Sequence, residues 1–85
     1  MLLGVEDEPN VSLWAMYPNP VATALIIRTP EAASYQVYDL LGKRFLEGAF
    51  KKGENSIEMS FLPSGVYFLS VLGENGSVVR RIVKK

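Results

Sequence analysis

Apolar and polar positions along this chain alternate with a period of two in short runs, and no stretch keeps the spacing of an amphipathic helix. The densest run is Phe61 to Leu72. It opens on a turn signal, in which Pro63 fixes φ and Gly65, after Ser64, tolerates a positive φ. Directly behind come residues dominated by β-branched, aromatic and large aliphatic types, from Val66 to Leu72. Helix start signals are missing, since no acid or amide stands three residues after Ser64. A near-continuous apolar run bounded by turn residues reads as a central strand covered on both faces. Tyr67, Leu69 and Val71 are assigned to the core, because Ser70 weakens the face it shares with Val66, Phe68 and Leu72.

The other runs are shorter. Val11 to Met16 alternates, with Val11, Leu13 and Ala15 on one side and Ser12, Trp14 and Met16 on the other. Trp14 is either a core plug or a lid on the sandwich edge. Tyr17-Pro18-Asn19-Pro20 then forces a rigid extended corner, because neither proline donates a ladder hydrogen bond. Such a corner suits a crossover between sheets; local chemistry favours a plain corner over a recognised surface motif. Thr23 to Thr29 alternates with Leu25 and Ile27 inward, and Pro30 stops it. Ser34 to Tyr38 follows, with Tyr35 and Val37 inward. Asp39 to Lys43 is a hairpin loop in which Asp39 accepts from its own backbone and Gly42 supplies a left-handed position. Arg44 to Phe50 returns, with Gly48 marking a bulge. Lys51 to Glu54 is a polar turn. Asn55 to Ser60 alternates with Ile57 and Met59 inward. Gly73-Glu74-Asn75-Gly76 is a hairpin turn before a last strand from Ser77 to Val83.

About seven short strands at a spacing of roughly ten residues predict an all-β sandwich with Greek-key connections. The edge strands are expected to be the first and last, with Arg80, Arg81, Lys84 and Lys85 guarding the last against edge pairing. The 85 residues make one domain. Residues 1–10, with the acidic run Glu6-Asp7-Glu8, read as a solvated linker, and 11–85 as the folded unit.

Composition removes several functions. Lys and Arg together number 9, as do Asp and Glu, so the formal charge is zero and a nucleic-acid binder, which would carry a basic excess, is demoted. Without cysteine or histidine the chain lacks thiolate chemistry, the commonest metal ligands and the usual general base. No catalytic residue, metal or cofactor is expected, and an enzyme is hard to build from what remains. No apolar run approaches the length of a transmembrane helix.

Four segments in order resemble one family: Tyr17-Pro18-Asn19-Pro20, Tyr38-Asp39-Leu40-Leu41-Gly42-Lys43, Leu62 to Leu69, and Arg81-Ile82-Val83-Lys84-Lys85. They are similar to the type A C-terminal sorting domain of the type IX (Por) secretion system of Bacteroidetes, over roughly residues 13–85. The resemblance implies an immunoglobulin-like β-sandwich at the end of a larger exported protein. It implies periplasmic transit, recognition by an outer-membrane translocon, and removal by a sortase-like protease that joins the cargo to anionic lipopolysaccharide at the cell surface. Carried over position by position, the motif residues are Pro18, Asn19, Pro20, Asp39, Gly42, Lys43, Gly65, Tyr67, Arg81, Ile82, Val83, Lys84 and Lys85. Arg81 stands where the family often has Lys, and keeps the charge.

Most of these positions are also turn makers or core residues, so their recurrence has a folding explanation as well. The exposed candidates for direct recognition are the Pro-Asn-Pro corner, Lys43 and the basic tail, which could meet a receptor by charge or by strand addition. The competing reading is a non-catalytic glycan- or protein-binding module, favoured if Trp14, Tyr17 and Tyr38 form one exposed platform.

Overall fold

In the computed structural model, which describes residues 15–74 and 76–85, the alternating runs become seven strands, with no helix among those residues. They are β1 Ala15–Tyr17, β2 Ala24–Thr29, β3 Ala33–Asp39, β4 Arg44–Phe50, β5 Gly53–Glu58, β6 Gly65–Gly73 and β7 Gly76–Lys84. One sheet has the order β1-β2-β5 and the other β4-β3-β6-β7, and every strand pair is antiparallel. The chain changes sheet after β2, β4 and β5, which gives the Greek-key connections of an immunoglobulin-like sandwich.

The period of two sets the core. Leu25 and Ile27 from β2 meet Val37, Leu69 and Ile82 from the facing sheet, all at 0% exposure. Burying each such side chain contributes roughly 1.5–3 kcal/mol. Tyr67 and Val71 complete the inner face of β6, and Ile57, Met59 and Leu62 close the core beneath the β5–β6 connection. β6 is central, between β3 and β7, as its composition implies.

Four expectations need correction. The second face of β6 is not covered: Val66, Phe68 and Ser70 are half-buried and Leu72 is exposed, because a two-layer sandwich leaves each outer face to solvent. Gly48 does not mark a bulge. It stays in register opposite Tyr35, and the irregularity falls between Val37 and Tyr38. Gly48 is instead a close approach: a Cβ there would lie 2.9 Å from the Tyr35 ring, which stacks on Phe50 at 4.4 Å between centroids. The proline corner does not carry the chain across to the other sheet, since β1 and β2 are neighbours in one sheet. Between them Val21 makes a lone parallel bridge to Lys84 at the edge of the other sheet. Finally, four strands stand at sheet edges, β4 and β5 as well as β1 and β7. The linker and the Val11–Trp14 part of the first run lie outside the described residues.

Candidate functional site

Asp39 ends β3 and builds the loop after it. Its Oδ1 accepts from the backbone N–H of Leu41 and of Lys43, each at 2.9 Å, while its own N–H donates to the Lys43 carbonyl at 2.9 Å. Gly42 adopts a φ of 87°, a backbone state that a side chain would strain. The aspartate is therefore a turn former here, as its local chemistry indicates. Lys43 Nζ lies 5.2 Å from the centre of the Phe45 ring, and Phe45 meets Tyr67 edge-on at 5.6 Å.

Tyr67 links this loop to the next one. Its ring is buried and its hydroxyl donates to the Pro63 carbonyl at 2.7 Å. That bond holds the Pro63-Ser64-Gly65 turn against the start of β6, in the manner of the tyrosine corner of immunoglobulin-like domains. Between the two loops runs an open groove of about 340 Å³, lined among others by Asp39, Leu41, Phe45, Pro63, Gly65 and Tyr67.

The Pro-Asn-Pro corner and the basic tail are joined to each other. Both the Tyr17–Pro18 and the Asn19–Pro20 peptide bonds are cis. The Asn19 amide acts as a short length of strand: Nδ2 donates to the Arg81 carbonyl at 3.0 Å and Oδ1 accepts from the Val83 N–H at 2.9 Å. Val21 continues the pairing, donating to the Val83 carbonyl at 2.8 Å and accepting from the Lys85 N–H at 2.9 Å. The outer edge of β7 from Arg81 onward is thus occupied, so the tail is not a free strand end awaiting an added strand. Within the tail, Ile82 is core and Lys84 is 8% exposed, its Nζ donating to the Lys85 carbonyl oxygen at 2.8 Å. Arg81 and Lys85 face solvent.

Sheet register brings these pieces to one pole of the sandwich. Asp39 pairs with Tyr67, Tyr67 with Ile82, Gly65 with Lys84, and Lys84 bridges to Val21. All four sequence segments therefore sit at the end where β3 and β7 finish and β6 begins. Local sequence did not show the convergence, nor that Val21, fully buried, is both core and bridge. The only signal for Val21 was an apolar residue directly after a proline.

Among the described residues there is no group of three or more His, Cys, Asp or Glu able to hold a metal ion, and no helix long and apolar enough to cross a membrane. Tyr17 and Tyr38 belong to different sheets, and Trp14 lies outside the described residues.

The fold and its motif pole define the class: an immunoglobulin-like β-sandwich that gathers turn makers, a braced edge and a basic tail at one end. Comparison with known families gives the particular one. The family model of the secretion system C-terminal sorting domain matches residues 15–85, and the chain belongs to that family, the sorting signals of type IX secretion. It is a family of sorting signals and not of enzymes, and its signal implies export to the cell surface or the extracellular space. No curated protein matches the chain.

Proposed function

We propose that the pole where the four segments converge is what the outer-membrane translocon of type IX secretion reads. The observation that carries this is the direct bonding of the Pro-Asn-Pro corner to the tail, within a chain of the sorting-domain family. Residues 11–85 act as the sorting domain of a cargo protein, itself without catalytic activity, and residues 1–10 as the linker to that cargo. The cargo crosses the periplasm before the translocon engages the folded pole. A sortase-like protease then cuts in or upstream of the linker, where extended backbone is accessible, and joins the cargo to anionic lipopolysaccharide. In this reading Pro18, Asn19, Pro20 and Gly42 shape the surface, Tyr67 and Ile82 anchor it, and Lys43, Arg81 and Lys85 supply charge. Because Asn19 and Val21 occupy the edge of β7, the receptor meets the tail through side chains and not by strand addition.

The test is an export assay with residues 1–85 fused behind a periplasm-targeted fluorescent reporter, in Bacteroidetes strains with and without a working translocon. Reporter at the surface or in the medium only in the competent strain is the expected result. Retention of the intact fusion in the periplasm of both strains would overturn the sorting role.

A further inference from the structure

The groove between the Asp39–Lys43 loop and the Pro63–Gly65 turn holds exposed apolar surface that the fold does not require. Leu40 and Leu41 are 71% and 93% exposed, and Phe61, on the connection leading into Pro63, is 62% exposed. The Asp39 carboxylate takes the N–H groups of Leu41 and Lys43, which any residue but proline would supply. The loop would close as well with polar residues at 40 and 41. Leu40 and Leu41, two large exposed apolar side chains that line the concavity together with Phe45 and Tyr67, mark a docking surface.

Charge selects the occupant. Lys43 stands over the ring of Phe45, a residue that lines the groove. Lys43 is in no ion pair among the described residues. The Asp39 carboxylate is already engaged by two backbone donors. Resting on the sorting function proposed above, we infer that the groove receives a large apolar side chain from an extended segment of a translocon protein, with an acidic residue beside it that meets Lys43. A flat lipid surface would meet the loop tips but leave the concavity empty.

The test keeps the full 85-residue chain behind the exported reporter. Leu41→Asp is expected to lower surface delivery about tenfold, the effect of losing ~1.4 kcal/mol of binding. Because the side chain is exposed, the unfolding midpoint should move by less than about 2 °C. Lys43→Glu should lower delivery and Lys43→Arg restore it. A photo-crosslinking residue at position 41 should form an adduct with a translocon protein, absent in the translocon-deficient strain. Delivery of Leu41→Asp equal to the parent overturns the inference. So does an adduct only between two copies of the fusion or only with lipid, or no adduct while export proceeds. If the parent fusion itself stays in the periplasm of the competent strain, the sorting function falls and this inference with it. If the parent and Leu41→Asp are both exported, the groove alone loses its role.

Discussion

Two asparagines at opposite poles do similar work over very different distances along the chain. Asn55, at the pole away from the motifs, accepts the Lys51 N–H at 2.9 Å and donates to the carbonyls of Lys51 and Gly53. Its partners are two and four residues away. Asn19 also gives both ends of its amide to backbone, but its partners, Arg81 and Val83, are 62 and 64 residues away. The far pole thus has a turn that closes on itself, although the Thr29 hydroxyl reaches 22 residues to Lys51 and Arg28 reaches 26 residues to Glu54. The motif pole exists only when β2, β3, β6 and β7 are assembled. A signal resting on the Asn19 bonds would report that the chain's two ends have come together, whereas one resting on the Asn55 bonds would report only a turn.

The two poles can be perturbed together or singly, and the largest effect comes from the core they share. Ile82 is fully buried in the strand that carries the tail. Ile82→Ala should cost about 2–5 kcal/mol, lowering the urea midpoint and unfolding both poles in one transition. Separate transitions for the two ends would show that the poles are independent, contrary to the account. Next come the two asparagines. Asn19→Ala and Asn55→Ala should each cost about 1–2 kcal/mol, the net worth of the hydrogen bonds removed. Hydrogen exchange distinguishes them: the Val83 amide should lose protection only in the first and the Lys51 amide only in the second. Gly42→Ala should cost about 1 kcal/mol, because φ is 87° there, and it should loosen the loop that forms one wall of the groove. The smallest effect is at Arg28. Its exposed ion pair with Glu54, at 3.0 Å, should contribute less than about 0.5 kcal/mol, and less still in high salt.

What was legible in the sequence follows the same division. β4 spans Arg44–Phe50 as read, and Leu25, Ile27, Val37, Ile57, Met59, Tyr67, Leu69 and Val71 are all core, because alternation encodes which face each residue takes. The Asp39–Gly42 turn was legible too, since Asp and Gly declare their backbone roles over a few residues. What could not be read was pairing over long separations. Nothing adjacent to Asn19 indicates that its amide will serve as an edge strand for β7, or that Val21 will bridge to Lys84. Gly48 was misread for a related reason. A glycine in a strand marks either a bulge or a close approach, and the Tyr35 ring that decides between them lies on another strand. The outer face of β6 departs from expectation because a long apolar run looks the same beneath a second layer and beside an exposed Leu72.

Export of the two asparagine variants in the reporter fusion, measured in the translocon-competent strain, separates a signal from a brace. Both lose similar stability, so folding alone would lower their delivery alike. If the folded motif pole is the signal, Asn19→Ala should reach the surface several-fold less well than Asn55→Ala, which should match the parent. Equal delivery of the two variants would contradict the account, leaving the Asn19 tie between corner and tail as a brace for the fold with no part in recognition.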